Sequence, residues 1–381
     1  MQAHLKEERE EIVKRRIARV FEQADGSIDG EEMEALFVYN RSGADKNFLY
    51  LINAGRGVFE NCGVLCDRKG DTYILTSTLE EEILRESGVY TDILVYGSKR
   101  ERNEALEKVL SPYRKVGICF DTISHALFLD IGGILTGELV DAGPAFRKAR
   151  MIKDTDELNH LEEACRITSD TADNIPRYLK EGMSEADLAL EIDYRMRRSG
   201  ADGPAFETLV QFGPNTSKPH YSGGCALLQS GDVVLVDFGA RFLGYNADVT
   251  RTYLTGSPGS EVTHLYKTVL EAQRIALDSI REGVCTESVE RQVKDYINGF
   301  DRYDGRFIHS LGHSLGLDTH DNGYPGEDFG GVFKTGMVLT VEPGIYLPGF
   351  CGVRIEDDIV VEGESCRLLT FAEKEPRAYE I

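Results

Sequence analysis

Four carboxylates and one imidazole, each on or beside an apolar strand-like run, constrain this chain more than any other feature. They are Asp237, Asp248, His313, Glu342 and Glu356. Four carboxylates brought together would repel one another, because like charges at short range cannot all ionise cheaply. Two divalent cations would neutralise the four negative charges. We therefore expect these strands to converge on a two-metal site of the kind that activates water for hydrolysis.

The length and composition of the chain exclude several classes of protein. A chain of 381 residues exceeds one ordinary core, which predicts two domains. The formal net charge of −22 repels phosphate backbones, so no nucleic-acid partner is expected. No run reaches the roughly 18 apolar residues of a membrane span, and the charged N-terminus lacks an apolar signal region. Eight cysteines without a Cys-x-x-Cys pair are typical of reduced thiols, so we expect a soluble, cytoplasmic protein without a membrane partner.

The apolar pattern predicts an α/β (α+β) chain that divides near residue 147. Residues 5–23 have the periodicity of an amphipathic helix, and helical stretches separate several of the short strands that follow it. These strands are predicted at residues 35–39, 48–52, 63–66, 73–76, 93–96 and 116–120. A break at residues 141–144 ends this α/β domain, 1–147. A capping box at Asp154 and Glu157 then opens a long helix in the second domain, 148–381.

The segment GDVVLVDFGARFLGYNADVTRTY predicts a β-hairpin with its turn near Phe242 and Leu243. Asp237 and Asp248 are symmetric about that turn, which predicts that they lie directly opposite, with Cβ atoms about 5 Å apart. One cation would fit between them. A pair of exposed hairpin carboxylates is the alternative, but Asp237 follows an apolar run, where an unpartnered carboxylate is costly.

Three histidines, His309, His313 and His320, lie close together in the glycine-rich run FIHSLGHSLGLDTHD. A neutral imidazole is a good metal ligand and a good proton-transfer group. The neighbouring Gly312 and Gly316 allow the backbone to approach a site closely. A single histidine is more often a core residue, but this clustering favours a functional role.

Two glutamates occur in the apolar runs MVLTVEPGIY and GVRIEDDIVV. Glu342 ends the first run, and Glu356 is predicted to lie in the next strand. A glutamate within such a strand is rarely structural unless it is paired or ligating. Arg354 is two positions from Glu356, so both side chains are expected on one face of that strand. An Arg354–Glu356 ion pair is the structural alternative to metal ligation.

These five residues, in this order and within the strings VDFG, NADVTRT, GHSLGLDTHD, VEPGIY and RIEDDIVV, resemble the M24 metallopeptidases of pita-bread fold. The N-terminal part resembles the small α/β domain of prolidases, aminopeptidase P and creatinase. The resemblance implies a creatinase-like N-terminal domain followed by a pita-bread catalytic domain. Methionine aminopeptidases usually lack so large an N-terminal domain, and creatinase-type relatives have lost metal ligands that this chain keeps.

The resemblance also implies how the five residues divide between two divalent ions. Asp237 would bind one ion, and His313 with Glu342 would bind the other. Asp248 and Glu356 would bridge both ions. The oxygen-rich ligand set without cysteine suits Mn²⁺, which is preferred here, as well as Co²⁺ or Zn²⁺.

Further catalytic residues follow from the resemblance. His220, in the string NTSKPHYSGG, matches a histidine that contacts substrate, and His320 matches a second active-site histidine. Arg354 matches an arginine typical of the proline-cleaving branch. The implied chemistry is attack of a metal-bridging hydroxide on the carbonyl before proline. Glu342 would move the proton, and His320 would stabilise the oxyanion.

The implied function is hydrolysis of Xaa-Pro bonds in a proline-containing peptide, by a dipeptidase (prolidase) that forms a homodimer. Aminopeptidase P, which removes the first residue from longer Xaa-Pro peptides, is the close alternative. A serine hydrolase is a further hypothesis, because residues 312–316 match the pattern G-x-S-x-G. The residues after Ser314 do not predict the helix that a nucleophile elbow requires. A non-enzymatic binding protein of the same fold is disfavoured by the complete ligand set.

Overall fold

A computed structural model of the chain describes residues 2–25, 33–41, 45–54, 56–321 and 331–381. The chain separates into two compact units, Met1–Arg150 and Met151–Ile381. Each unit has hydrophobic clusters of its own. None of the helices within the described ranges combines the length and apolar character needed to cross a membrane.

The first unit is built on a mixed sheet whose described strands have the order β4-β3-β2-β1-β5-β6. Strand β1 is antiparallel to β2 and parallel to β5. Its elements are α1 (Gln2–Asp25), β1 (Ala35–Asn40), α2 (Lys46–Ile52), β2 (Cys62–Asp67), β3 (Thr72–Ser77), α3 (Glu81–Ser87), β4 (Asp92–Tyr96), α4 (Lys99–Leu110), β5 (Lys115–Ile118), α5 (His125–Gly132), β6 (Glu138–Asp141) and α6 (Gly143–Met151).

One strand prediction for the first unit is wrong. Residues 48–52 form part of helix α2 instead of a strand, because Asp45 caps the helix by accepting hydrogen bonds from the backbone N–H groups of Asn47 and Phe48. The break expected at residues 141–144 is the start of α6, where Asp141 accepts a hydrogen bond from Gly143 N at 2.9 Å. In both places a polar residue at the helix start favours a helix. An apolar run alone does not distinguish a short helix from a strand.

The second unit contains helices that pack on short sheets. Its elements are α7 (Thr155–Asn174), α8 (Glu185–Arg198), β7 (Gly203–Pro204), β8 (Leu209–Phe212), β9 (Val233–Phe238), β10 (Ala240–Phe242), β11 (Tyr245–Asn246), β12 (Val249–Thr255), α9 (Ser260–Ser279), α10 (Thr286–Asn298), β13 (Val338–Val341), β14 (Gly344–Leu347), β15 (Cys351–Arg354), β16 (Asp357–Val361), β17 (Cys366–Leu368) and β18 (Ala378–Tyr379), with short 3₁₀ turns at Ile175–Arg177 and Gly213–Ser217. The capping box predicted at Asp154 and Glu157 is present.

Two helix pairs cover the strands of the second unit. Helices α7 and α8 pack on β8, β9 and β12, with Ile167, Leu188 and Val236 in one buried cluster. Helices α9 and α10 pack on β13, β15 and β16 through a second cluster, which includes Val269 and Ile359. Side chains alternate along a strand, so the residues that point away from these clusters are available for a site.

The predicted hairpin is present, but its register differs by two residues. The turn lies at Leu243 and Gly244, which both have positive φ, and β10 pairs with β11 around it. Strand β9 pairs with β12 so that Asp237 is opposite Thr250, not opposite Asp248. A shift of two keeps both aspartates on the same face, since side chains alternate with a period of two.

Candidate active site

A cavity of about 470 Å³ in the second unit brings all five predicted ligands together. The predicted His220, His320 and Arg354 line the same cavity. Its other described lining residues are Phe206, Leu209, Pro219, His309, Ser310, Gly312 and Thr319. The fold therefore collects the complete set of predicted site residues around one space.

Strands β9 and β12 position the two aspartates. Asp237 occupies the face of β9 opposite the buried cluster that contains Val236, and its cross-strand partner is Thr250. Asp248 immediately precedes β12, and its backbone N–H donates to Asp358 Oδ2 at 2.9 Å. This hydrogen bond to Asp358 positions Asp248, and it lies outside the β9–β12 ladder on which the hairpin prediction was based.

His313 and Glu342 are positioned by a short backbone ladder. Thr340 N donates to His313 O and Glu342 N donates to Leu311 O, both at 2.9 Å. A Cβ at Gly312 would lie 2.1 Å from Thr340 O, so only glycine allows the two segments this close. His313 Nε2 consequently lies 3.6 Å from Glu342 Oε1.

Glu356 and Arg354 differ from their predicted arrangement. Glu356 lies between β15 and β16 instead of within a strand, and its Oε2 accepts a hydrogen bond of 2.6 Å from Thr250 Oγ1. Arg354 forms an ion pair of 2.5 Å with Asp237 Oδ2 and donates to Thr250 Oγ1 and Tyr346 Oη. The expected Arg354–Glu356 pairing is thus replaced by an Arg354–Asp237 pair, because β15 runs beside β9.

The donor atoms in the cavity fit divalent cations. Asp248, His313 and Glu356 each offer one ligand atom, and these atoms lie within 4.8 Å of one another. The buried Oδ1 atoms of Asp237 and Asp248 have no hydrogen-bond partner within the described part of the chain. Buried carboxylate oxygens without partners are costly, and a cation would satisfy them.

The electrostatics of the cluster support the same conclusion. Burial, followed by the charge of Glu356, raises the pKa values of Asp248 and Glu342 well above the ordinary range. Burial and then Asp237 raise the pKa of Glu356 to about 7. Burial and the neighbouring His320 lower the pKa of His313 to about 4, so its imidazole is neutral and free to ligate. The metal-free cluster retains protons that cations would displace.

We expect cation binding to release protons at pH 6. Glu356 has a pKa of about 7, above its ordinary value of 4.5, so it is protonated in the metal-free protein at that pH. A cation favours the ionised carboxylate and displaces the proton. The release from Glu356 should decline as the pH rises above about 7. Titration calorimetry with Mn²⁺ in buffers of different ionisation enthalpy measures this release, and a binding enthalpy independent of the buffer would contradict it.

His220 is carried by an irregular segment after β8 that two buried polar side chains support. Gln211 Nε2 donates to Lys218 O and Tyr221 O, at 3.0 and 2.7 Å, on either side of His220. Glu185 Oε1 accepts from Phe212 N at 2.9 Å. The backbone around His220 is therefore fixed although the imidazole itself is exposed.

His309, which lines the cavity, forms a pair with Tyr346 that the sequence did not predict. His309 Nε2 lies 2.9 Å from Tyr346 Oη, and its Nδ1 lies 4.0 Å from Glu342 Oε2. Burial, followed by the charge of Arg354, lowers the pKa of His309 to about 4. The histidine cluster indicated His309 only in general terms. The sequence around Tyr346 does not predict this contact, because the position of Tyr346 depends on the pairing of β14 with β15.

The geometry around Ser314 does not form a nucleophile elbow. Ser314 is fully buried and lies in an isolated bridge with Leu339. The described residues from 314 to 321 contain no helix. A serine nucleophile requires an exposed Oγ at a strand-to-helix turn, and the cavity wall has neither feature here.

Comparisons with known proteins match both parts of the chain to known families. Residues 159–363 match metallopeptidase family M24, and residues 22–152 match the creatinase/prolidase N-terminal domain. An Xaa-Pro dipeptidase of Pyrococcus furiosus is 30% identical over 303 residues, which are 76% of this chain and 86% of that protein.

Solved structures show the same architecture. An Xaa-Pro dipeptidase from Bacillus anthracis superposes with a TM-score of 0.83 at 28% identity, covering 96% of this chain and 99% of the other. An X-Pro aminopeptidase from Thermotoga maritima also has a TM-score of 0.83, at 26% identity, with 92% and 98% of the two chains covered.

The fold and the cavity together define a metal-dependent peptidase. The chain belongs to metallopeptidase family M24, with an N-terminal domain of the creatinase/prolidase type. The predicted fold class is thereby confirmed, and divalent metal ions are the cofactors of this family. The serine-hydrolase and non-enzymatic hypotheses are wrong.

Proposed function

We propose that this protein is an Xaa-Pro dipeptidase, a prolidase that hydrolyses the bond preceding proline. The observation that carries the proposal is the convergence of four carboxylates and one imidazole on a single cavity. The Xaa-Pro dipeptidase of Pyrococcus furiosus, similar over most of its length, supports the substrate class.

In this proposal five residues hold two divalent ions. Asp237 would hold one ion, His313 and Glu342 would hold the other, and Asp248 and Glu356 would contribute to both. Bound divalent ions supply positive charge that polarises the scissile carbonyl and lowers the pKa of water. Arg354 keeps Asp237 in place through its ion pair of 2.5 Å.

The remaining groups around the cavity handle protons and charge. Glu342, which lines the cavity, accepts the proton of the attacking water and delivers it to the leaving amine. His320 donates a hydrogen bond to the oxygen that becomes negatively charged in the transition state. His220 contacts the substrate from the exposed rim of the cavity.

A substrate panel tests the proposal. We expect purified protein with Mn²⁺ to hydrolyse Xaa-Pro dipeptides faster than Xaa-Pro tripeptides, and to leave Met-Ala peptides intact. Faster cleavage of tripeptides would establish the second candidate, aminopeptidase P. That candidate is supported by the equal TM-score of the X-Pro aminopeptidase structure. Cleavage of Met-Ala peptides alone would refute both candidates.

We expect His320→Ala to lower kcat by roughly 10²-fold, because one oxyanion contact typically contributes that factor. The content of bound metal should stay unchanged, since His320 is not a proposed ligand. Steady-state kinetics and elemental analysis of the same samples measure the two quantities. His264→Ala, which removes an exposed histidine of the same unit outside the described cavity lining, is the matched control. Loss of metal from His320→Ala would contradict the assigned role.

We also propose that Mn²⁺ is the preferred ion and that the protein acts as a cytoplasmic homodimer. The oxygen-rich ligand set supports Mn²⁺, and the absence of disulfides among the eight cysteines supports a reducing compartment. The dimer rests on the family resemblance alone. Light scattering of the purified protein measures its mass against 42.4 kDa for one chain.

A further inference from the structure

A buried lysine–aspartate pair lies next to the residue proposed to stabilise the oxyanion. Lys153 Nζ is 3.6 Å from Asp321 Oδ2, and the two side chains are 0% and 1% exposed. Asp321 directly follows His320 in the chain. Neither member of the pair belongs to the described lining of the cavity. Any effect of the pair on the reaction must therefore act through a neighbouring residue.

The lysine end of the pair is anchored to backbone. Lys153 N donates to Gly336 O at 2.9 Å, and Lys153 Nζ donates to Met151 O at 3.3 Å. Gly336 precedes β13, the strand whose ladder positions His313. The ammonium group is thus fixed relative to the strands that build the site.

The aspartate end closes a loop. Asp321 N donates to Ser314 O at 3.0 Å, so residues 314–321 begin and end at the same place. Asn246 donates to Gly316 O through both its backbone N and its Nδ2, at 2.9 and 3.1 Å. A Cβ at Gly316 would lie 2.8 Å from Asp321 Oδ2, so this glycine leaves the space that the buried pair occupies.

Within the described residues, two of the four histidines that line the cavity lie beside the ends of this loop. His313 immediately precedes it, His320 is its last residue but one, and their ring centroids are 4.1 Å apart. His320 is exposed, whereas the next residue has a fully enclosed side chain. The ion pair therefore restrains the backbone of His320 on the side away from the cavity. The imidazole ring of His320 lines the cavity.

Stability alone is a weak reason for such a pair. Taking two charges out of water is costly, and replacing a buried ion pair by apolar side chains is often neutral or stabilising. A buried pair does restrict geometry, because either charge is strongly disfavoured without the other. We propose that Lys153 and Asp321 are positioning residues that fix His320 in its productive orientation. This inference rests on the proposed function, in which His320 contacts the oxyanion.

Variants of the pair, each with and without His320→Ala, test the inference. The variants are Lys153→Met, Asp321→Asn and the double variant Lys153→Met/Asp321→Asn, with Asp304→Asn on the exposed surface as the control. Kinetics with an Xaa-Pro dipeptide, metal content and the unfolding midpoint are measured for each. NMR of protein with ¹³C-labelled histidine rings follows the His320 signal, which His320→Ala assigns, and this readout requires no activity.

We expect Asp321→Asn to lower kcat by roughly 10-fold to 10²-fold, with KM and metal content unchanged, because a small misplacement of a catalytic group has that effect. In the His320→Ala background, Asp321→Asn should alter kcat by less than about twofold. The contact of His320 with the oxyanion is already absent there, so its misplacement has no further effect. The double variant should regain much of the unfolding midpoint but not kcat. The His320 signal should shift in each variant of the pair.

Three results would overturn the inference. Equal loss of kcat in both backgrounds would show that the pair acts on the structure as a whole. Recovery of kcat together with stability in the double variant would remove the positioning role. An unchanged His320 signal in Asp321→Asn would do the same. If the single variants do not fold, the double variant carries the test. Failure of the wild-type protein to cleave any Xaa-Pro peptide would refute the proposed function instead, and the NMR measurement would still decide the position of His320.

Discussion

Removal of divalent cations should abolish peptide hydrolysis, and added Mn²⁺ or Co²⁺ should restore it. The physical reason is the buried cluster itself: without cations its carboxyl groups have raised pKa values and retain protons. Without cations the cluster has no positive charge that would polarise a carbonyl and lower the pKa of water. The experiment is dialysis against EDTA, then stepwise addition of metal with continuous measurement of dipeptide cleavage.

The metal-free protein should also differ in stability from the loaded protein. A ligand that binds only the folded state raises the free energy of unfolding in proportion to the logarithm of its concentration. The unfolding midpoint should therefore rise with added Mn²⁺, and Mg²⁺ at the same ionic strength serves as the comparison. Full hydrolytic activity in excess EDTA would refute a metal-dependent mechanism.

Replacement of either of the two carboxylates that are proposed to bridge the ions should remove both ions together. We expect Asp248→Ala and Glu356→Ala to contain no stoichiometric metal and to hydrolyse no more than the EDTA-treated protein. Each of these side chains is proposed to bind both ions, so neither ion keeps a sufficient ligand set once one bridge is lost. Elemental analysis after gel filtration counts the ions per chain.

Controls separate this effect from a general loss of acidic charge. Asp304→Ala removes one exposed carboxylate from the same unit and should retain both ions and full activity. Asp237→Ala should lose one ion more readily than the other, because Asp237 is assigned to one site only. Two retained ions in Asp248→Ala or in Glu356→Ala would show that the bridging assignment is incorrect.

The sequence and the family resemblance could predict which residues line the cavity, whereas their pairing could not be predicted. Asp237 and Asp248 were correctly placed on one hairpin, because alternation keeps them on the same face. The observed register differs from the predicted one by two residues, because the turn lies at Leu243 and Gly244, which both have positive φ. A glycine at the second position of a two-residue turn was the available signal.

Long-range packing decided the features that the sequence did not show. The partner of Arg354 is Asp237, 117 positions away, and no local pattern distinguishes it from the nearer Glu356. The same holds for Tyr346 and His309, which meet only because β14 folds back beside the histidine-rich segment. Residues 48–52 show the reverse case, in which a side-chain cap at Asp45 overrides an apolar run that resembles a strand.

The ladder that joins His313 to Glu342 has a consequence for how the protein can be monitored. The proposed ligands extend from Asp237 to Glu356, and no shorter piece of the chain contains them all. Any proteolytic fragment or partly folded state in which residues 311–315 have not docked on β13 lacks a complete set of ligands. With these proposed ligands, bound metal would report on completed assembly of the catalytic unit, and metal uptake during refolding would follow the docking of residues 311–315 on β13.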